Sequence, residues 1–181
     1  MCFQLSELES ETANIKTTSN LKLEMERKTK IDAQPDRQDL LITREFDLPL
    51  ELLFKAYIDP EIVEQWMGTK VIKLENKVHG GWRFETTDHK GNVHRFNGVI
   101  HEFVNNEKIT RTFEMENTTF PVQLEFLEFH NLSEERSKLT MHIVYKSTEH
   151  RDAMLKLPFE YGVNMAHDRL QEVVGKSLKS I

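Results

Sequence analysis

The sequence predicts an α+β fold in which a curved antiparallel β-sheet wraps around a long C-terminal helix. Three observations lead to this prediction. One strand-like run is followed at once by two short helical segments, a long series of alternating apolar and polar stretches comes next, and one amphipathic segment closes the chain. An antiparallel sheet with one apolar face has to bury that face, and the last segment offers a matching apolar stripe.

The two short helices lie within residues 41–66, LITREFDLPLELLFKAYIDPEIVEQW. Pro49 opens the first of them, directly after the strand-like run. Asp59 is predicted to be the N-cap of the second helix, with Pro60 at the first helical position, where the missing N–H of proline is harmless. Trp66 closes this helix.

The middle of the chain is predicted to be a meander of strands, because its apolar residues recur with a period of two. Short polar connections make consecutive strands antiparallel neighbours. In the first of these strands, Ile72, Leu74 and Val78 are expected to share one face. Gly98 stands in the middle of a later strand and predicts a bulge or a sharp bend, which a strongly curved sheet needs.

The final segment is predicted to be one long helix that begins near Pro158, because proline suits a first turn and breaks a helix interior. Residues 149–157, directly before it, are expected to form a separate short turn. The apolar residues of the helix form one stripe, and the inner face of the sheet is the large apolar surface that could bury it. The stripe consists of Phe159, Val163, Ala166, Leu170 and Val173.

Several words of the sequence resemble the AHSA branch of the SRPBCC superfamily, also called START-like or birch-pollen-allergen-like, and the resemblance spans about residues 30–175. It implies the helix-grip fold, in which a curved sheet holds the long helix. It also implies a hydrophobic pocket for a small apolar or amphipathic ligand between sheet and helix. The matching words are TREFD with the DPE and QW that follow it (43–66), GGWRF (80–84), NGVIHEF (97–103), EKITRTF (107–113) and GVNMAHDRLQEV (162–173).

Large apolar side chains on the inner face of the sheet and on the helices are the candidate walls of this pocket. The sequence leaves open whether they surround a ligand or fill a solid core, because side chains of this size can occupy such a space themselves. The candidates are Trp66, Phe84, Phe96, Phe113, Phe126, Met141, Tyr145, Phe159 and Met165.

Arg111 is the charged residue of greatest interest, since strand alternation places it on the apolar face between Ile109 and Phe113. A buried guanidinium needs a partner. It could anchor a ligand carboxylate or hydroxyl, or it could pair with a carboxylate at the rim of the sheet or face outward after a register shift. Arg44 and Arg83 are expected at the rim.

No motif for catalysis, for a cofactor or for a metal site is present. The sequence lacks a nucleophile beside a base, a phosphate-binding glycine loop and the ligand spacing of a zinc site, so no cofactor is predicted. Two alternatives to ligand binding stay open. A cyclase- or aromatase-like enzyme, as in some SRPBCC branches, could use Tyr145, Arg111 and His94. A co-chaperone-like module, as the AHSA name implies, would bind a chaperone partner.

Length and charge restrict the class of protein further. The 181 residues suit a single domain, expected over residues 29–181, after a flexible extension over residues 1–28. The net charge of -6 argues against nucleic acid as a partner, because no surplus of positive charge is available to neutralise phosphates.

The compartment is predicted to be the cytoplasm. Cys2 has no second cysteine with which to form a disulfide, which fits a reducing environment. The sequence shows no secretory signal and no apolar run long enough for membrane insertion. A strand left at a sheet edge keeps a homodimer open.

Overall fold

The computed structural model describes residues 29–178, and the predicted flexible extension over residues 1–28 lies outside this range. The strands are β1 (Lys30–Asp32), β2 (Asp39–Phe46), β3 (Lys70–Leu74), β4 (Gly81–Thr87), β5 (Val93–Val104), β6 (Lys108–Met115), β7 (Gln123–Ser133) and β8 (Arg136–Val144). The helices are α1 (Leu50–Ile58), α2 (Pro60–Met67), α3 (Thr148–Leu155) and α4 (Phe159–Leu178).

All eight strands form one curved antiparallel sheet in the order β1-β2-β8-β7-β6-β5-β4-β3. From β3 to β8, strands that follow each other in the chain are neighbours in the sheet, as the short connections predicted. The two short helices after β2 carry the chain across the molecule, so that β2 pairs with β8. The predicted α+β helix-grip fold is confirmed.

The predicted start of α2 at Asp59 and Pro60 is confirmed, and the helix ends at Met67, one residue after the predicted Trp66. The carboxylate of Asp59 accepts hydrogen bonds from the backbone N–H groups of Glu61 and Ile62, at 3.1 and 3.4 Å. Gly68 ends the helix in the left-handed region, with a φ of 65°. Trp66 donates its indole N–H to the carbonyl of Ala56 at 2.7 Å, which holds α2 against α1.

Two local predictions were wrong. The strand expected over residues 71–78 ends at Leu74, and its register shifts between Val71 and Lys73. This irregularity turns Val71 towards the core and leaves Ile72 45% exposed, since an extra residue in a strand reverses the alternation beyond it. Residues 149–157 were expected to form only a short turn, but most of them belong to the helix α3, whose first turn is capped by Ser147.

The buried apolar residues form two clusters. The larger cluster joins α1 and α2 to the centre of the sheet and to α4, and it includes Phe54, Trp82 and Leu170. The smaller cluster lies between β2, β8 and α3. Met141 packs against both of them. The members of the smaller cluster are Leu40, Ile42, Ile143, Tyr145 and Met154.

Gly98 allows two strands and a tryptophan to approach closely. It lies opposite Trp82 in the β4–β5 pairing, and the indole N–H of Trp82 donates to the carbonyl of Thr112 at 3.2 Å. A Cβ atom on residue 98 would lie 1.9 Å from that carbonyl oxygen. The bulge that Gly98 suggested lies further along β5, between Ile100 and Glu102.

We expect Gly98→Ala to lower the free energy of unfolding by about 3 kcal/mol or more, because the backbone of Thr112 would have to move. Gly162→Ala is the matched control: its Cβ would meet nothing within 4 Å, and it lies inside α4. There alanine should stabilise by about 1 kcal/mol. Urea denaturation measures both, and equal effects of the two substitutions would contradict the packing described here.

Candidate functional site

A cavity of 280 Å³ lies between the inner face of the sheet and α4. Its walls come from both core clusters: Trp66 and Phe84 belong to the larger one, and Ile143 and Met154 belong to the smaller one. Met141, which touches both clusters, lines it as well. The cavity is therefore the space where the two clusters do not meet.

A second cavity of 280 Å³ adjoins the first. The two share Met67, Phe84, Arg111 and Phe113. The second extends to Phe96, to Thr69 and to the side chains of Trp82 and Thr86 on β4. The side chain of Met67, in the last turn of α2, lines both cavities and is 38% exposed. The apolar space thus reaches the surface beside Met67.

An ion pair lies on the otherwise apolar wall. Nε of Arg111 donates to Oε2 of Glu125 at 2.9 Å, and the two side chains are only 13% and 5% exposed. The other oxygen of Glu125 accepts from the amide of Gln123, also at 2.9 Å. The guanidinium carbon of Arg111 stands 4.7 Å from the ring centre of Trp82. The positive charge is thus neutralised and stacked on an aromatic face.

The placement of Arg111 on the apolar face is confirmed, and its partner is different from the one expected. Glu125 lies directly opposite it in the β6–β7 register, on the inner face and away from the rim. Arg44, expected at the rim, is buried and pairs with Asp168 at 2.6 Å. A ligand-anchoring role for Arg111 stays a prediction.

The hydroxyl of Tyr57 is a polar group without a partner. It is buried, it makes no hydrogen bond to any residue between 29 and 178, and Tyr57 lines the cavity. Burial raises the pKa of the Tyr57 hydroxyl above its ordinary value, so it remains a neutral donor. Leaving such a group unpaired costs about 1–3 kcal/mol.

His167 brings a second polar group to the cavity wall from α4. Its Nδ1 lies 2.9 Å from the hydroxyl oxygen of Thr29. The same oxygen accepts a hydrogen bond from Nη1 of Arg44 at 3.4 Å. Burial, reinforced by the nearby charge of Arg44, lowers the pKa of His167 to about 3. The imidazole is therefore neutral at physiological pH.

Seven of the ten side chains predicted to contact a ligand lie around the two cavities. Tyr145 is buried in the smaller cluster and lines neither of them. His94, a candidate of the enzyme alternative, lies at the β4–β5 hairpin, 3.1 Å from Asp88, and also lines neither cavity. The seven are Trp66, Phe84, Arg111, Phe113, Met141 and Phe159 in the first cavity and Phe96 in the second.

Phe126 and Met165 lie away from the two cavities. The inward positions of β7 are Gln123, Glu125 and Leu127, so Phe126 points outward, where its ring stacks on His142 at 5.7 Å. The polar residues Gln123 and Glu125 at inward positions concealed this alternation in the sequence. Met165 is 45% exposed because it lies one residue before Ala166, on the other side of α4.

Apart from Arg111, the polar residues of the site were not among the predicted ones; they are Tyr57, Gln123, Glu125 and His167. Extending the alternation of Leu127 and Phe129 back along β7 would have placed Gln123 and Glu125 inside. Tyr57 lies four residues after the buried Leu53, on the same face of α1. His167 borders the apolar stripe of α4, where a helical plot finds it next to Leu170.

Among residues 29–178, no three His, Cys, Asp or Glu side chains are grouped so that they could hold a metal ion.

None of the helices in that range combines the length and the apolar character that crossing a bilayer would demand.

A curved antiparallel sheet that encloses an apolar cavity against a C-terminal helix defines a helix-grip protein. The family model described as Activator of Hsp90 ATPase homolog 1-like protein matches residues 47–175, and the chain therefore belongs to this family. The predicted AHSA resemblance is confirmed. No curated protein matches the sequence at a significant level.

Solved structures of bacterial proteins are similar to this one. Protein Ms6760 from Mycobacterium smegmatis is 20% identical, with a TM-score of 0.73 over 81% of this chain and 96% of its own. A protein from Arthrobacter aurescens is 18% identical, with a TM-score of 0.74 over 81% and 91%. One from Rhodobacter sphaeroides is 18% identical, with a TM-score of 0.74 over 82% and 99%. Likenesses at this identity show the fold alone.

We expect removal of one partner of the buried ion pair to lower the free energy of unfolding strongly, and replacement of both partners by apolar residues to lower it little. Glu125→Leu alone should lower the free energy of unfolding by about 3 kcal/mol, because it leaves a buried guanidinium unpaired. The double variant with Arg111→Met should recover most of that loss. Denaturant titrations of a double-mutant cycle measure the coupling.

Lys73→Met is the control, because it breaks an exposed ion pair with Glu75 and should have a much smaller effect on the free energy of unfolding. A Glu125→Leu effect no larger than that of Lys73→Met would contradict burial of the Arg111–Glu125 pair.

We expect stability to fall in mild acid because of His167. Its folded-state pKa of about 3 lies below the ordinary value of 6.5, so the unfolded chain takes up a proton that the folded protein refuses. As the pH falls between these two pKa values, the free energy of unfolding should drop by about 1.4 kcal/mol per pH unit. His167→Phe should lose this slope between about pH 6 and pH 4.5, above the range where carboxylates dominate. Parallel pH profiles of the two proteins would contradict a buried neutral imidazole.

Proposed function

We propose that this protein binds a small hydrophobic or amphipathic molecule in the cavity between the sheet and α4, without covalent chemistry. The observation that carries the proposal is the cavity itself, which has apolar walls and contains the unpartnered hydroxyl of Tyr57. Apolar walls with a few convergent polar groups are typical of small-molecule sites. A ligand acceptor at Tyr57 would remove the penalty of its unpaired O–H.

The volume limits the ligand to a compact molecule. An apolar cavity of about 150 Å³ holds one benzene ring, and drug-sized ligands occupy roughly 300–1,000 Å³. The first cavity, at 280 Å³, suits a ligand of one or two rings. A longer ligand would extend past Phe84 and Phe113 into the adjoining cavity.

Met67 is the proposed point of entry. It lines both cavities, it is partly exposed, and it lies in the last turn of α2 beside Gly68. A methionine side chain is unbranched and flexible, so it can move aside more readily than the aromatic walls. The predicted cytoplasmic location, chaperone partner and homodimer stay predictions beside this proposal.

We expect native mass spectrometry to detect a co-purified small molecule, or a thermal-shift screen of compact one- and two-ring compounds to give stabilisation that saturates with concentration. Ala166→Phe places a ring into the cavity from α4 and should abolish that stabilisation. Met165→Phe is the matched control, because it adds the same ring one residue earlier on the exposed side of α4.

Four outcomes distinguish ligand binding from its alternatives. Loss of stabilisation in Ala166→Phe alone supports the proposal. Equal loss in both variants, or in neither, places the ligand elsewhere. A bare mass and no response to any compound would overturn ligand binding and favour a protein partner, while chemical turnover of a bound compound would favour the enzyme alternative.

A further inference from the structure

The hydrogen bonds around Thr29 determine which nitrogen of His167 carries the proton. The hydroxyl oxygen of Thr29 lies 3.4 Å from Nη1 of Arg44 and 2.9 Å from Nδ1 of His167. A guanidinium only donates, so the Thr29 oxygen accepts from Arg44. The one acceptor within residues 29–178 for the proton of the Thr29 hydroxyl is then Nδ1.

The alternative tautomer leaves a buried proton unpaired. If Nδ1 carried the proton, the Thr29 oxygen would accept from both neighbours and its own O–H would have no acceptor in the described chain. Thr29 is buried, so this arrangement would cost the desolvation of a hydroxyl. Thr29 therefore favours the form of His167 in which Nε2 carries the proton.

Nε2 of His167 makes no hydrogen bond to any residue between 29 and 178, and His167 lines the cavity. Tyr57 contributes an unpaired O–H to the same cavity. The carboxylate of Glu125 is already shared by Arg111 and Gln123. Unpaired donors thus outnumber unpaired acceptors on the polar part of the wall.

The charges nearby are compensated. Arg111 is paired with Glu125, and Arg44 is paired with Asp168. A ligand cation would meet donors, and a ligand anion would meet guanidinium groups that already hold carboxylates. The polar wall suits a neutral molecule that accepts hydrogen bonds.

We propose that His167, held in its Nε2–H form by Thr29 and Arg44, is a specificity-determining donor that works together with Tyr57. The ligand is then a neutral compact molecule with a carbonyl-type acceptor, such as a ketone, an ester or a quinone. This inference rests on the proposed function, since it names the class of ligand that the same cavity takes.

The tautomer is measured directly by NMR of the full chain with ¹⁵N-labelled histidine, and His167→Phe assigns the signal. We expect His167 to carry its proton on Nε2 in the wild type. Thr29→Val, which removes the donor to Nδ1, should weaken this preference. A proton on Nδ1 in the wild type would overturn the inference without any ligand being added.

The ligand class is measured by calorimetric titration with a matched pair of probes, 2-acetylnaphthalene and 2-ethylnaphthalene, which differ in one carbonyl group. We expect the wild type to bind the ketone about tenfold more tightly, because it pairs donors that the hydrocarbon leaves unpaired. In His167→Phe, and separately in Tyr57→Phe, this preference for the ketone over the hydrocarbon should fall to about threefold or less. Met165→Phe should behave as the wild type.

The two proposals fail in different ways. Equal binding of both probes by the wild type overturns the donor role and leaves ligand binding intact. Binding of neither probe in the cavity counts against both proposals. A ketone preference that persists in both His167→Phe and Tyr57→Phe also overturns the inference, because the donors would then lie elsewhere.

Discussion

The burial of one helical stripe against a curved sheet is the constraint on which the rest of this structure depends. α4 cannot leave its apolar stripe in water, and the sheet cannot leave its inner face exposed, so each element covers the other. The sheet is wider than the helix. Additional elements therefore close the two ends, with α1 and α2 joining the larger cluster and α3 packing against the smaller one. The cavity lies between these two closures, where Met141 is the side chain that contacts both clusters.

The polar groups in that space explain why it does not simply collapse. Arg111 and Glu125 are an ion pair that burial makes expensive to separate, and their mutual position is set by the β6–β7 register. Thr29, Arg44 and His167 form a second buried group that connects the start of the described chain to α4. Polar groups of this kind have to keep their partners, so the side chains around them cannot move inward to fill the gap.

Membership in the AHSA family identifies the architecture of this protein but does not identify a ligand. The solved structures that this protein resembles have the same sheet and helix, but only about one residue in five is identical, so the likeness concerns the backbone. Function in such a fold is decided by the few side chains that line the gap. In this chain those side chains combine aromatic walls with Tyr57, His167 and a neutralised Arg111, and the proposed recognition of a compact, neutral, amphipathic molecule rests on this combination.

The sequence by itself determined the elements and most of their inner faces, because a period of two or of 3.6 residues is a local property that a linear chain displays. The stripe of α4 and the inward position of Arg111 follow from it, and the capped start of α2 follows from the residue types of Asp59 and Pro60. The tertiary structure alone decided the partner of Arg111 and the existence of the cavity, whereas the outward position of Phe126 follows from the alternation of β7 once Gln123 and Glu125 are placed inside. Register shifts and polar residues at inward positions conceal the alternation within a strand. Whether the two apolar clusters meet depends on the distance between α4 and the sheet. Many side chains together set this distance, so no local sequence pattern predicts it.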